Sequence, residues 1–283
     1  MRFLVLGEII FDEYPDRATL GGAPLNFAAY AAAAGAECHL LSAVGEDENG
    51  TSAIRAAAGY GIRTEGIARI PGKATGTCRV TLSATGVPRY EILENVAYDA
   101  ITAGAFAGED FDLFYFGTLI QRSPAPCRAI REILAAGRCR EVFCDVNLRA
   151  PFVSRDAVLL CLQSATMLKI SDEELPEVLR LSLGSEENAP ADAAQALAAA
   201  FPQLHTVVIT CGAAGALVLD TRERRLFRAP AKSVQVVSTV GAGDAFAAAF
   251  ATAYLRGAGA EAALQAGIAQ SARTVAAAGA IVL

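Results

Sequence analysis

Short apolar runs alternate with longer helical segments over most of the chain after residue 110, and this alternation constrains the fold more than any other feature. Buried strands are predicted at Leu113–Phe116, Glu141–Cys144, Met167–Ile170 and Thr206–Ile209. Helices are predicted at Pro124–Ala136, Arg155–Gln163, Asp172–Leu181 and Asp192–Ala200. Because parallel strands need long crossover connections, the pattern predicts an α/β fold: a doubly wound, mainly parallel sheet with helices on both faces.

The two ends of the chain continue this pattern. Further strands are predicted at Arg2–Gly7 and Cys38–Val44, with a hairpin at Gly215–Leu219 and Arg225–Arg228. Further helices are predicted from Pro24 to about Ala34 and at Thr51–Ala58, Ala242–Leu255 and Glu261–Ala277. The acidic turn at residues 45–50 lacks the ligand spacing of a calcium loop, so we interpret it as a helix cap.

Residues 64–98 interrupt the alternation. Two β-type runs, Thr77–Leu82 and Pro88–Leu93, are separated by Ala84–Val87 without a helix between them, which is a hairpin signal. We expect a single domain of residues 1–283 with a small inserted β-sheet, and a lid over a ligand formed by about residues 12–20 and 64–98. The alternatives are an edge extension of the main sheet or a dimer contact, so a homodimer through the lid is a hypothesis.

Composition limits the partners and the compartment. The net charge is −6 and the isoelectric point about 5.1, which argues against a nucleic-acid partner. Seven scattered cysteines with no C-x-x-C pair fit a reducing cytosol rather than a disulfide framework or a zinc site, so we expect a cytoplasmic protein. No uncharged apolar stretch is long enough to cross a membrane.

The stretch Val236–Phe246 is predicted to form a strand, a tight loop and the start of a helix. Its glycines let the loop Gly241–Gly243 turn backbone N–H groups toward one point, and the helix N-terminus adds partial positive charge there. Such a concavity suits a phosphate or another anion. Asp244 stands beside it, where it can take a proton from a group that attacks the phosphate. The alternative is that Asp244 only caps the helix.

Other polar residues open a helix or follow strand ends. Asn26 is a large amide at the start of an apolar helix, and Gly21 and Gly22 clear space beside it, which favours a ligand-facing role over a surface position. Ligands of open α/β sheets bind beyond the carboxyl ends of the strands. Polar residues follow the predicted strands at Asp145–Arg149, Lys169–Glu174 and Thr210–Gly212.

The segments Gly21–Ala28 and Gly241–Phe246 together resemble the two signatures of the ribokinase-like (PfkB) carbohydrate kinases. Family landmarks occur between them in the same order: Thr75-Gly76, Asn95-x-Ala97-Tyr98-Asp99, Asp145-x-Asn147-x-Arg149, Lys169-x-Ser171-x-x-Glu174 and Thr210-x-Gly212-x-x-Gly215. The resemblance covers nearly the whole chain. Within the family, Gly7–Asp12 and Asp145–Arg149 look most like the fructokinase and 2-keto-3-deoxygluconate kinase branch.

The resemblance implies ATP-dependent phosphorylation of a sugar primary hydroxyl, with Mg²⁺ as the accompanying ion. It implies that Asp244 is the general base and that the N–H groups of Gly241, Ala242 and Gly243 form an anion hole. The implied sugar contacts are Asp12, Gly22, Asn26 and Arg149, with Arg79 and Tyr90 as candidates on the lid. The implied nucleotide contacts are Lys169, Ser171, Thr210, Gly212 and Gly215, and Glu174 would help to organise Mg²⁺ and its waters.

Two positions depart from the family pattern. Ser238 stands where relatives commonly carry an aspartate of a loop that often binds K⁺, so activation by a monovalent cation is in doubt. Ser171 stands where relatives commonly carry asparagine, so the contact to Mg²⁺ and phosphate there is expected to be water-mediated or shifted.

The leading functional hypothesis is a fructokinase-like sugar kinase. The alternatives are a kinase of 2-keto-3-deoxygluconate or of another small sugar or nucleoside, and a catalytically silent sugar- or nucleotide-binding regulator on the same fold. The intact Asp244 argues against the regulator. The sequence leaves the sugar itself open, because selectivity depends on lid side chains whose directions it does not define.

Overall fold

A nine-stranded sheet forms the centre of the structure, a computed structural model that describes residues 1–82, 88–185 and 189–283. The described strands are, in chain order, β1 (Arg2–Leu6), β2 (Ile10–Glu13), β3 (Ala18–Gly21), β4 (Glu37–Gly45), β5 (Ile67–Ile70), β6 (Gly76–Leu82), β7 (Pro88–Ile92), β8 (Phe111–Gly117), β9 (Cys139–Asp145), β10 (Met167–Ser171), β11 (Thr206–Thr210), β12 (Ala216–Asp220) and β13 (Arg225–Ala229). The helices are α1 (Ala23–Ala33), α2 (Glu48–Gly59), α3 (Pro124–Ala136), α4 (Arg155–Ser164), α5 (Leu175–Leu183), α6 (Pro190–Ala200), α7 (Ala242–Leu255) and α8 (Gly259–Val275). The predicted turn at Ala84–Val87 lies outside the described residues.

The large sheet has the strand order β13-β12-β11-β10-β9-β8-β1-β4-β5. Strand β12 is antiparallel to both of its neighbours, and the other pairs are parallel. The predicted mainly parallel sheet and its terminal hairpin are therefore confirmed. Strand order reverses beside β1, so the carboxyl ends of β1 and β8 border a crevice of the kind in which ligands bind.

Helices cover both faces of the large sheet, as the alternation predicts. One apolar core lies between the sheet and α1, α2, α7 and α8, and it includes Phe27 and Phe250. The other lies under α3 to α6 and includes Ile130 and Leu179. Asp47 caps α2 by accepting the N–H of Gly50 at 2.7 Å, which confirms the interpretation of the acidic turn. None of the helices in the described parts of the chain combines the length and the apolar character that crossing a bilayer requires.

A separate small sheet carries the predicted hairpin. Its order is β3-β2-β6-β7, so the hairpin β6–β7 is joined by two short strands from residues 10–21 that the sequence analysis did not predict as strands. The predicted lid segment 64–98 includes residues that are not part of the small sheet, because Ile67–Ile70 pairs in parallel with β4 of the large sheet. A short run such as Ile67–Ile70 carries no local signal that distinguishes the two sheets.

The apolar run before the anion loop is not a strand, contrary to the prediction. Residues 231–236 have no regular structure, and the side chains of Val236 and Val237 are 64% and 57% exposed. The N–H groups of Val237 and Ser238 both donate to the carbonyl of Val275, at 2.9 and 3.2 Å, instead of to a neighbouring strand. A β-branched run becomes a strand only where a sheet edge pairs with it, and here it lies along the end of α8.

A buried polar cluster ties together the amino-terminal ends of β9 to β11, opposite the strand ends that carry the predicted site. Glu141 accepts hydrogen bonds from Thr166 at 2.6 Å, pairs with His205 at 2.7 Å and contacts Arg222 at 3.3 Å. Burial alone would raise the pKa of Glu141, but these hydrogen bonds and charges outweigh it and lower the pKa to about 2.

Replacing Glu141 by glutamine is expected to lower the free energy of unfolding by about 2 kcal/mol at pH 7, because hydrogen bonds to a buried charge are lost. The folded-state pKa lies below the unfolded value of about 4.3, so this contribution is present above pH 4.3 and disappears as the pH falls towards 2. Urea unfolding at several pH values measures it, with Glu132→Gln on the exposed face of α3 as the control. Equal stability of wild type and E141Q at pH 7 would contradict the assignment.

Candidate active site

The predicted site residues come from two directions that meet at one edge of the large sheet. Strands β8 to β11 lie side by side and in parallel, so the residues that follow them share this edge. The N-termini of α1 and α7 approach the same edge from one face. Gly22, which precedes α1, has φ +114°, and a Cβ there would lie 2.5 Å from the carbonyl oxygen of Glu8. Glycine at this position is therefore what lets the start of α1 pack against the end of β1.

A direct hydrogen bond joins the two signature segments. The Asn26 amide nitrogen donates to Asp244 Oδ2 at 2.8 Å, across 218 positions of sequence. Asn26 is buried, and its Oδ1 has no partner within the described residues, so one acceptor remains for a ligand. The amide thus orients the Asp244 carboxylate and adds a free acceptor beside it.

Asp244 is a better base than a solvated aspartate. The sequence alone suggests that the helix N-terminus keeps it ionised and weakly basic. In the structure, burial raises the pKa of Asp244, and the Asn26 hydrogen bond and the charges of Lys169 and Arg149 oppose this shift without cancelling it. A carboxylate with a raised pKa accepts a proton more readily during attack on a phosphate.

The anion loop offers two of its three predicted donors. Gly241 has φ +78°, and a Cβ there would lie 2.2 Å from the carbonyl oxygen of Ala280, so only glycine fits against this C-terminal segment. The N–H of Ala242 donates to the carbonyl of Thr239 at 3.2 Å. Those of Gly241 and Gly243 have no partner in the described part of the chain, as expected at a helix N-terminus.

Lys169 places a positive charge next to this loop. Its ammonium group lies 2.8 and 2.9 Å from the two carboxylate oxygens of Asp145, and both side chains are buried. The ammonium also lies 3.5 Å from the point that a Cβ on Gly243 would occupy. Burial lowers the pKa of Lys169, but the carboxylates of Asp145, Glu174 and Asp244 outweigh it, so the pKa is raised and the lysine stays protonated.

Glu174 joins two strand-end loops. Its Oε1 accepts the N–H of Leu148 at 2.6 Å, and its Oε2 accepts the N–H and the hydroxyl of Ser171, both at 2.9 Å. The predicted helix from Asp172 therefore begins later, at Leu175, after this turn. Ser171 and Glu174 are in direct contact, so each is engaged with the other in this structure.

The small sheet brings some of its predicted residues to the site and not others. Register places Asp12, Cys78 and Tyr90 on one face, because Asp12 pairs with Cys78 and Val80 pairs with Tyr90. Burial raises the pKa of Asp12, and Arg149, which is itself exposed, partly offsets this. Arg79 is on the opposite face, 3.9 Å from Glu91, so the structure does not bring it to this group.

The predicted nucleotide residues follow β11, next to Ser171. The carbonyl of Thr210 accepts the N–H of Asp172 at 2.8 Å, and Gly212 and Gly215 form the turn into β12. A Cβ on Gly215 would lie 2.0 Å from the carbonyl of Ala229, so this turn packs closely against the end of β13. The exposed valines of residues 234–240 follow β13 and lead into the anion loop.

No ready-made metal cage exists among residues 1–82, 88–185 and 189–283: they contain no group of three or more His, Cys, Asp and Glu side chains that could hold an ion. Mg²⁺ that acts on nucleotides is usually held by one or two carboxylates together with phosphates and waters. The carboxylate of Glu174, which interacts with Lys169, is compatible with that kind of site, in which the nucleotide itself supplies ligands.

Sequence reasoning assigned no role to two residues near the cleft, Glu8 and Arg122. Glu8 is buried directly after β1, and the signal that could have identified it is a charged residue at the end of an apolar strand. Arg122 pairs with Asp99 at 2.9 Å and lies between the rings of Tyr98 and Phe152. The Arg122–Asp99 pair joins residues 23 positions apart, and no local pattern indicates it.

A family comparison agrees with this geometry. The model of the pfkB family carbohydrate kinases matches residues 16–283. The chain belongs to this family. It is a sugar kinase, that is, a phosphotransferase with an alcohol group as acceptor, as the sequence analysis predicted.

Curated relatives of this kinase are distant. It is 26% identical over 264 residues to fructokinase-2 of Oryza sativa subsp. japonica, covering 85% of this chain and 76% of that one. It is 29% identical over 243 residues to probable fructokinase-6, chloroplastic, of Arabidopsis thaliana, covering 81% of this chain and 60% of that one.

Solved structures share the whole fold. A fructokinase from Vibrio cholerae O395, with fructose, ADP and calcium bound, superposes with a TM-score of 0.85 at 20% identity, over 99% of this chain and 94% of that one. Aminoimidazole riboside kinase of Salmonella enterica, bound to aminoimidazole riboside and an ATP analogue, gives a TM-score of 0.83 at 22% identity, over 99% and 95%. The ribokinase-like fold of the pfkB kinase is thereby confirmed.

Proposed function

We propose that this pfkB kinase transfers the γ-phosphoryl group of ATP to a primary hydroxyl of fructose or a closely similar neutral sugar. The observation that carries the proposal is the 2.8 Å hydrogen bond from Asn26 to Asp244, which joins a sugar-facing helix start to a phosphate-facing one. The curated fructokinases among the relatives and the nucleotide complexes among the structural neighbours support it.

The chain's own groups divide the work of transfer. Asp244 takes the proton of the attacking hydroxyl as the new bond to phosphorus forms, and Asn26 holds its carboxylate in place. The free N–H groups of Gly241 and Gly243 and the ammonium of Lys169 offset the negative charge of the transferring group. Glu174 would help to hold Mg²⁺ together with the nucleotide and waters, and the ion would supply further charge neutralisation.

The charges around the sugar side favour a neutral substrate. Glu8, Asp12 and Asp244 all contribute carboxylates there, and Arg149 is the exposed cation that faces them. Arg122 is already paired with Asp99, and Arg79 is on the far face of the small sheet. A sugar acid such as 2-keto-3-deoxygluconate would add a carboxylate where little positive charge is free.

The nucleotide half of the cleft combines polar and apolar surfaces. We infer that Thr210, Gly212 and Gly215 line the nucleotide site and that the exposed valines of residues 234–240 offer an apolar surface to the base. Valines exposed by half or more, such as Val236 and Val237, lose unfavourable hydration when an aromatic ring covers them. The small sheet, which carries Asp12 and Tyr90, is proposed to close over the sugar.

An ATP-consumption assay against fructose, ribose, 2-keto-3-deoxygluconate and a purine nucleoside tests the proposal. We expect the highest kcat/KM with fructose, and a kcat that falls by roughly 10²-fold or more with every accepted substrate in Asp244→Asn. A higher kcat/KM with 2-keto-3-deoxygluconate would overturn the argument from charge. ATP consumption with none of the four would contradict the fructokinase-like assignment.

Potassium is not expected to stimulate the enzyme. Ser238 offers a neutral hydroxyl, which accepts the N–H of Val240 at 3.3 Å, where relatives commonly carry a carboxylate that attracts the ion. Initial rates in K⁺ and in tetramethylammonium at equal ionic strength should agree within about twofold. A large stimulation of the wild type by K⁺ would refute this reading, and Ser238→Asp, which restores the carboxylate, is the matched comparison.

A further inference from the structure

Glu8 is a buried acid that has no role in the phosphoryl transfer described for Asp244, Asn26 and Lys169. It follows β1 at the strand end that borders the cleft, and only 5% of its surface is exposed. Its carboxylate accepts a hydrogen bond from its own backbone N–H and from no other group among the described residues. Burying a carboxylate without a side-chain partner is costly, and proteins retain such groups mainly where they act on a ligand.

The charged groups that interact with Glu8 lie on three different parts of the chain. It interacts with Arg149 after β9, Asp244 on α7 and Arg122 after β8, and it in turn affects Tyr98 in the turn at residues 97–100 and Tyr115 on β8. Arg122 pairs with Asp99 through its Nε. Its buried Nη1 and the buried hydroxyl of Tyr98 have no hydrogen-bond partner among the residues that the structure describes. Glu8 therefore interacts both with Arg149 and Asp244, which border the cleft, and with Arg122 and the buried Tyr98.

A purely structural ion pair does not explain this arrangement. No salt bridge within 4.0 Å involves Glu8 in the described chain, whereas Arg122 already has Asp99 at 2.9 Å. Burial raises the pKa of Glu8 to about 7, and Arg149 offsets this only in part, so the charge is poorly compensated in the absence of a ligand. A sugar hydroxyl is the donor that such an acceptor lacks.

We propose that Glu8 is a sugar-positioning residue: its carboxylate accepts a hydrogen bond from a hydroxyl of the bound sugar other than the one that is phosphorylated, and so sets affinity and selectivity for the sugar. The inference rests on the proposed function. The sugar would then be contacted from three directions: by Asn26 and Asp244 at the reacting hydroxyl, by Asp12 on the small sheet and by Glu8 after β1.

Glu8→Gln tests the proposal, because it keeps the shape and removes the charge. We expect the KM for the sugar to rise about tenfold or more, the size of a lost hydrogen bond to a charged acceptor, with the KM for ATP unchanged within about twofold. In the wild type, kcat/KM for the sugar should rise as the pH increases through about 7, since the ionised acid is the better acceptor. E8Q should lack this rise in kcat/KM near pH 7. The pH dependence that remains in E8Q is due to the ionisation of Asp244 and other acids.

The matched control is Glu13→Gln, which changes the same residue type on the face of the small sheet opposite Asp12. A series of monodeoxy analogues of the accepted sugar adds a second readout. The analogue that lacks the hydroxyl bound by Glu8 should be a poor substrate for the wild type, but E8Q should handle it no worse than the parent sugar.

Each outcome decides the matter. A raised sugar KM with an unchanged ATP KM and one non-additive analogue supports the proposal. An unchanged sugar KM and pH profile, or a lower melting temperature with both KM values shifted equally, shows that Glu8 is only structural. If the wild type phosphorylates no sugar, the proposed function fails and this inference with it; if the wild type is active and E8Q behaves like E13Q, only this inference fails.

Discussion

Asp244→Asn is expected to reduce kcat by roughly 10²–10⁴-fold, the range that a positioned general base contributes. The variant keeps an oxygen that can accept the Asn26 N–H, now 2.8 Å from Oδ2, so the geometry of the site should persist. What disappears is the acceptor for the hydroxyl proton. Because this proton moves only during transfer, the KM values for sugar and ATP should change by less than about threefold.

The control for this experiment is Asp192→Asn. Asp192 occupies the third position of α6 as Asp244 does of α7, but its side chain is exposed. Both substitutions remove a negative charge that interacts with a helix N-terminus. Steady-state kinetics should therefore separate them: D192N turns over like wild type, whereas D244N does not. Turnover by D244N within tenfold of wild type would refute the assignment of the base.

The parts of the candidate site that have an unusual local sequence could be predicted from the sequence alone. Gly241–Gly243 stand out as a glycine-rich turn before an apolar helix, and Asn26 stands out as a large amide within the first turns of another apolar helix. Their meeting was predicted only through the family resemblance, since nothing local relates residues 218 positions apart. The alternation after residue 110 predicted much of the large sheet, because β8, β9 and β10 are short apolar runs that are each followed by a helix.

Other features depend on which neighbour each segment meets. Val236–Val240 has the composition of a strand, but the end of α8 occupies its N–H groups. Ile67–Ile70 is equally short and joins the large sheet because β4 is free beside it. The direction of Arg79 follows from its register opposite Glu91, which is a property of the paired strands and not of the residue. Local β-propensity predicts neither the pairing of these two segments nor the direction of Arg79.

Substitutions in the buried pair Lys169–Asp145 are expected to have a large effect on both stability and activity. A double substitution separates the role of Lys169 in the fold from its role in phosphoryl transfer. Lys169→Met leaves the carboxylate of Asp145 buried without its partner at 2.8 Å. Breaking a buried pair in this way typically lowers the free energy of unfolding by about 3–5 kcal/mol. If Lys169 also stabilises the transferring phosphoryl group, kcat/KM for ATP should fall by roughly 10²-fold or more, as for other single donors at developing charge.

Asp145→Asn combined with Lys169→Met removes both charges, so most of the lost stability should return, because no unpaired charge stays buried and only the smaller cost of a buried amide remains. Activity should not return, since the ammonium beside Gly243 is still missing. Urea unfolding and ATP kinetics on the single and double variants make this comparison. Replacing the exposed pair Glu177–Arg180 of α5 in the same manner is the control, and it should alter neither quantity. A double variant with near wild-type turnover would mean that Lys169 only supports the fold; one that is stable and inactive places its charge in the transfer step.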